Sequence, residues 1–157
     1  MRDMPVGTGD IDVPHAKLRA LHDFWRQRAG ERPLPSRLDF LPEEFAPWMG
    51  HIAIADVKHP SLEMTFGLFG AAFVYVNNMD LTGRPVAELP ALVSAMILAD
   101  YRGCVESRQP LYTCRQSVNR DWTHIHRIVL PCSSNGEQVD KLIVGLYTEG
   151  GKSPFSG

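Results

Sequence analysis

The order of strand-length runs constrains this chain more than any other feature. His51 to Lys58 (HIAIADVK) and Leu62 to Phe69 (LEMTFGLF) are apolar-rich and separated only by His59, Pro60 and Ser61, which predicts an antiparallel hairpin. Three more such runs close the chain: Leu111 to Asn119, Thr123 to Leu130, and Val139 to Tyr147. Arg120-Asp121-Trp122 separates the first two, and a segment with the turn dipeptide Asn135-Gly136 separates the last two. In the second run Leu62, Met64, Phe66 and Leu68 fall on one face at period two, which predicts an inward side.

Helical patterns fill the remainder. From Pro14 to Ala29, residues Leu18, Leu21, Phe24, Trp25 and Arg28 recur at helical spacing, and Gly30 suits a stop. A proline-rich connection follows, and Pro42, Glu43 and Glu44 open a short helix carrying Phe45, Trp48 and Met49. Between hairpin and meander, Ala71 to Val76 is long enough for a helical turn or two. Pro90 to Ser107 is a second clear helix, with Leu92, Ala95, Met96, Ala99 and Val105 near one stripe. In the intervening NNMDLTGRPVAEL, Asp80 is placed to cap a turn at Leu81 to Gly83.

Two strands, a helical crossover and a three-strand meander make an α+β domain. Its one antiparallel sheet carries helices over one face, and a cavity is expected between sheet and crossover. The 157 residues suffice for one such domain, over 14–148, including the N-terminal helix 14–29. Residues 1–13 read as a flexible leader and 149–157 as a flexible tail.

Composition excludes several classes. Hydrophobic residues at 44% and charged residues at 22% match a folded globular chain, and a net charge of -2 lacks the basic excess of a nucleic-acid surface. No run is apolar enough to cross a bilayer, and MRDMPVGTGDIDVPH lacks a signal-peptide core, so a cytoplasmic location is expected with no membrane partner. Cys104, Cys114 and Cys132 show no CxxC spacing, which points to structural thiols; a redox role for Cys104 or Cys114 would need a lowered thiol pKa.

Four stretches give the chain its likeness to a known family. They are FWRQRAGERPLPSRLDFLPEEF (Phe24 to Phe45), FGLFGAAFVYVNNMDLTGRPVAEL (Phe66 to Leu89), the RQP end of the long helix (Arg108 to Pro110), and RIVLPCSSNGEQVDKLIVGL (Arg127 to Leu146). Together they resemble a PAS domain, and more narrowly the short single-domain bacterial PAS proteins with an N-terminal helical extension, over about His15 to Tyr147. The resemblance implies a five-stranded PAS sheet, a ligand-capable pocket, and a part in sensing or protein association within signalling. It leaves the cofactor unknown. The flavin-adduct subclass resembles a GxNCRFLQ motif, whereas NNMDLTGRP here has no cysteine; no histidine lies between His59 and His124, which disfavours haem held by a crossover histidine.

On this reading the chain has no catalytic residues and no metal site. It is expected to bind an apolar or amphiphilic small molecule between Met64, Phe66 and Leu68 on the sheet and Phe73, Val76 and Met96 on the crossover, with Arg127 able to reach a carboxylate. Leu18, Leu21, Phe24 and Trp25 form a wide apolar patch, the candidate interface of a homodimer. No kinase, cyclase or DNA-binding segment is visible, so output is expected to pass to a separate signalling partner protein. His124 and His126 share one strand face and, with His51 or His59, form an alternative metal set. Asp56, Asp80, Asp100 and Asp121 with Tyr75 and Tyr101 offer the acid and base of a small isomerase-like enzyme as the alternative, and a pure dimerisation scaffold is the third reading.

Overall fold

The computed structural model describes residues 11–116 and 121–157. Of the flexible leader, 1–10 lie outside the described residues; Val13 is buried, so the leader ends earlier than expected. The chain begins with helix α1 (Ala16–Ala29), followed by short 3-10 turns at Arg37–Asp39 and Pro42–Trp48. The hairpin β1 (Ile52–Lys58) and β2 (Glu63–Phe69) leads into helix α2 (Ala71–Asn77), a 3-10 turn at Val86–Glu88, and helix α3 (Ala91–Ser107). The meander is β3 (Leu111–Gln116), β4 (His124–Cys132) and β5 (Lys141–Glu149). The third strand was expected to reach Asn119, and its last residues, 117–119, lie outside the described residues.

The five strands form one antiparallel sheet in the order β2-β1-β5-β4-β3. Both faces are covered, where helices on one face were expected. β4 and β5 are buried along consecutive residues, because α1 packs on one side of them while α2 and α3 cover the other. Strand alternation then sorts the side chains. Ile52, Ile128, Gly145 and Tyr147 face α1, whereas Ala53, Ala55, Arg127 and Leu146 face the crossover.

Gly145 decides how closely α1 approaches. A Cβ there would lie 2.7 Å from Leu18 Cδ2 and 2.9 Å from Leu21 Cδ2, so the helix rests directly on the strand. Leu18, Leu21 and Trp25 are buried at 0%, 1% and 1% exposure, and the Trp25 indole N–H donates to the Pro131 carbonyl at 2.8 Å. Phe24 packs on Phe40, Phe45 and Trp48 of the wrap. The four residues expected at a dimer interface therefore pack within their own chain, since a helix with so wide an apolar face finds a sheet face waiting in cis. Gly30, at φ +62°, ends the helix as expected.

Residue Leu68 is a second correction. Ile54 pairs with Leu68 but Ala55 pairs with Phe66, so Gly67 is an extra residue that bulges β2 and shifts its alternation by one. Met64, Phe66 and Phe69 face the crossover, and Leu68 is turned to the opposite face at 46% exposure. Leu62 is a turn residue at φ +60°. In α3 the buried stripe is Ile97, Tyr101, Cys104 and Val105, while Leu92 is exposed. Asp80 caps a turn rather than a helix: its Oδ1 accepts from the Thr82 amide at 3.0 Å and the Thr82 hydroxyl at 2.7 Å.

The expected tail is also packed. Phe155 lies against Tyr75 and His51, Ser153 is buried, and Thr148 bridges to Ser156 in parallel. One aromatic residue, Phe155, two positions past the run of small and charged residues Glu149 to Ser153, anchors it.

Candidate functional site

A cavity of about 250 Å³ lies where β3 and β4 meet the crossover. Val76 and Asn77 of α2 and Val93 and Met96 of α3 form one wall. Arg115, Gln116, Ile125 and Arg127 come from the strands, with Trp122 from the loop before β4. Ile125 and Arg127 are two apart on β4 and Arg115 pairs with Ile125, so one pleat aims all three the same way.

Of the seven sequence-predicted ligand residues, Val76, Met96 and Arg127 line this cavity. Met64, Phe66 and Phe73 belong to the buried core. Phe66, Phe69 and Phe73 pack in series as tilted rings, with centroids 4.7 and 5.5 Å apart, and fill the β1–β2 end, which displaces the open volume toward β3 and β4. Leu68 lines a different, largely apolar hollow of about 300 Å³ with Phe45, Trp48 and Met49 on the α1 side. The sequence reading missed Asn77, Val93, Arg115, Gln116, Trp122 and Ile125. The apolar and basic alternation Ile125, Arg127 was the available signal; for Trp122 there was none, because it sits in a turn.

The electrostatics of the cavity centre on its two arginines. Arg115 donates to both carboxylate oxygens of Asp100 at 2.7 and 3.0 Å. Arg127 is 6% exposed, and its Nε has no hydrogen-bond partner among the described residues. Burial lowers the Arg127 pKa from its usual value and Arg115 lowers it further, while Tyr101 and Asp100 oppose the fall. Burial also pushes the Tyr101 phenol up to about 12, so at neutral pH the counter-charge that faces Arg127 is the Asp100 carboxylate. The Trp122 indole N–H is likewise buried without a partner among the described residues. Buried N–H groups are nearly always paired, so these two orphans are unusual, but neither nitrogen is itself exposed on the cavity wall.

The alternative constellations disperse. Asp56 pairs with Lys141, Asp80 with Thr82, Asp100 with Arg115, and Asp121 accepts the Tyr75 hydroxyl at 2.9 Å. No carboxylate is among the residues lining the cavity. His126 donates from Nε2 to Glu149 at 2.6 Å, which leaves Nδ1 to accept the Tyr112 hydroxyl at 2.6 Å. His51 and His59 bond the Leu146 and Val139 carbonyls, and among the described residues no group of three His, Cys, Asp or Glu side chains is arranged to hold a metal ion. Burial raises all three cysteine thiols, Cys132 to about 12, the reverse of what a reactive thiolate needs. Among the described residues no helix is long and apolar enough to cross a membrane.

A family model described as a PAS domain matches residues 13–147. No curated protein matches the chain. Among solved structures, the PAS domain of histidine kinase ThkA is similar at 12% identity and a TM-score of 0.45, covering 61% of this chain and 97% of that one. A domain of an HTR-like protein from Haloarcula marismortui matches at 14% identity and 0.44, covering 60% and 94%. The light-state structure of the blue-light photoreceptor Aureochrome1 LOV matches at 12% and 0.44, covering 71% and 90%.

Proposed function

The chain belongs to the PAS domain family, and on that premise we propose that it is a sensory module that holds a small molecule in the cavity between β3–β4 and α2–α3. The observation that carries this reading is the cavity itself: open volume lined by apolar side chains and a few convergent polar groups, on the crossover side of a sheet whose β1–β2 end is filled by packed phenylalanines.

Transmission runs across the sheet through β4. Ile125 and Arg127 face the cavity, while His126 and Ile128 on the same strand face α1, where the His126 ring lies 4.8 Å from His15. Occupancy that moves β4 therefore alters the seating of α1 and of the wrap behind it, the surface offered to a signalling partner in the cytoplasm. The chain acts by association and not by catalysis.

Native mass spectrometry of protein isolated from its own host tests the proposal. A retained small-molecule mass is expected, and it should vanish in Met96→Trp, which fills the cavity. Identical ligand-free masses for both proteins would overturn the reading.

A further inference from the structure

We propose that the apolar hollow on the α1 side of the sheet docks an amphipathic helix of a partner protein, whose apolar face enters the hollow and whose flanking Asp or Glu pairs with Arg37. This rests on the reading that the chain acts by association, and adds the surface and the chemistry of the partner.

The Gly67 bulge turns Leu68 onto the face that Ile52 shares, and the turn Pro42–Trp48 sets Phe45, Trp48 and Met49 beside them around about 300 Å³. Six large apolar side chains stand most open to solvent among the described residues, and four of them gather here. Met49, at 79% exposure, and Leu68 line the hollow; Leu38 and Leu41 are next in sequence to its lining residues Arg37 and Pro42. Exposed apolar surface collected in one place marks a binding face. A small guest would be buried within the hollow and leave Leu38 and Leu41 uncovered, whereas a longer element spans both.

Backbone pairing decides between a helix and a strand. The outer edge of β2 is already taken: the Phe66 N–H donates to the Arg84 carbonyl at 3.0 Å, the Gly83 N–H donates to the Phe66 carbonyl at 2.7 Å, and Thr65 bridges Pro85. An added strand finds no ladder there. A helix arrives with its own backbone bonds made and needs only apolar contacts at i, i+3, i+4 and i+7. The hollow equals roughly ten waters at ~30 Å³ each, room for a few side chains of such a face.

Charge sets the polar residue of the partner. Arg37 donates to the Phe40 carbonyl at 3.1 Å and lies over the Phe45 ring at 5.4 Å, yet makes no ion pair among the described residues. The neighbouring acids are committed, Asp39 to Arg32 and Glu44 to Arg28. A half-buried guanidinium at the wall of an apolar hollow therefore selects an acidic residue on whatever covers it. A second copy docking through the same patch sets one hollow against another and leaves both unfilled.

The test is display selection on the full chain with lactam-bridged helical peptides, randomised on one face and at its flanks, followed by fluorescence anisotropy of the enriched sequences. Enriched helices are expected to carry Leu, Met or Phe on one face with Asp or Glu beside it. Their acidic form should bind about 3- to 10-fold more tightly than the matching Asn or Gln form, between an exposed ion pair and a buried charged bond. Arg37→Glu should turn that preference toward Lys or Arg; should R37E disturb the wrap, Arg37→Gln carries the test by making acidic and amide forms equal. Met49→Asp should weaken binding about tenfold or more, while Leu92→Asp, also exposed but on α3, leaves it unchanged. No helix enriched over the Met49→Asp protein, or an acidic preference that survives Arg37→Glu, would overturn the inference. So would self-association in sedimentation that Met49→Asp abolishes, which assigns the hollow to a second copy. None of these outcomes touches the retained mass lost in Met96→Trp, on which the sensory reading rests.

Discussion

Adding one carbon at Gly145 should loosen the N-terminal helix. In Gly145→Ala the new Cβ would stand 2.7 Å from Leu18 Cδ2, 2.9 Å from Leu21 Cδ2 and 3.3 Å from Ile128 Cγ2, against an ordinary carbon separation of about 3.5–4.0 Å. The strand cannot yield, because Gly145 is paired on both sides, to Ile52 and Ile128. Both leucines are fully packed at 0% and 1% exposure, so α1 must move by most of an ångström. Overpacking of this kind costs about 1–3 kcal/mol, offset by about 0.4–1 kcal/mol from the less flexible unfolded chain. A net loss of about 1–2 kcal/mol lowers Tm by roughly 2–8 °C for a chain of this length. Urea unfolding followed by tryptophan fluorescence, to which Trp25, Trp48 and Trp122 contribute, reads it. Leu18→Ala alone should cost about 2–5 kcal/mol, yet in the G145A background it relieves the clash, so the double mutant should beat additivity by about 1 kcal/mol. Unchanged stability in G145A, or strict additivity, would refute the seating of α1 on its own sheet.

Three further outcomes follow from particular residues. Phe69→Ala should cost about 3–5 kcal/mol while Leu68→Ser changes stability by less than about 1, because the Gly67 bulge buries the first and exposes the second; equal costs in denaturant unfolding would place the register elsewhere. Gly70→Ala should destabilise severely, since its Cβ would fall 2.6 Å from the Gly50 and Ile52 carbonyl oxygens, and a normal thermal midpoint would contradict that approach. Acid should weaken the fold below about pH 6.5. His15 has its pKa lowered from 6.5, first by burial and then by His126, with Glu149 opposing and His51 adding; His51 is lowered too, first by burial. The native state then binds fewer protons than the unfolded chain, so stability is steady at alkaline pH and falls as pH drops through 6.5. His15→Asn keeps a good N-cap for the Leu18 amide and should flatten part of that slope, measured as unfolding free energy at pH 7.5 and 5.5; an unchanged slope would assign the protons elsewhere.

Most of the fold was legible because it rests on periodicity. The two-plus-three strand order and the helical crossover follow from alternation at two and recurrence near 3.6, and every expected strand is present, its ends shifted by at most two residues where they fall among the described residues. What was not legible depends on neighbours in space. The run LEMTFGLF alternates without a break in sequence, so the extra residue at Gly67 leaves no trace, and Leu68 and Phe69 are equally apolar. α3 is apolar on several sides, which left its stripe ambiguous until Tyr101 and Cys104 met β4. The broad apolar face of α1 is the same whether a second copy or its own sheet covers it, and only Gly145, in the last strand, records which. The site was legible in part. Arg127 stood out as a charge among buried strand residues, whereas the displacement of the cavity came from three phenylalanines packing together, and Trp122 lay in what read as a mere turn.

Hydrogen exchange on two forms of one preparation bears most directly on the sensory role: protein as isolated from its host, and the same protein stripped of any guest by unfolding and refolding. Amides of β4 and of α1, Ala16–Ala29, should be better protected in the isolated form, with β1 and β2 unchanged. Identical exchange in the two forms across both elements would contradict a guest-filled cavity that speaks to α1 through β4.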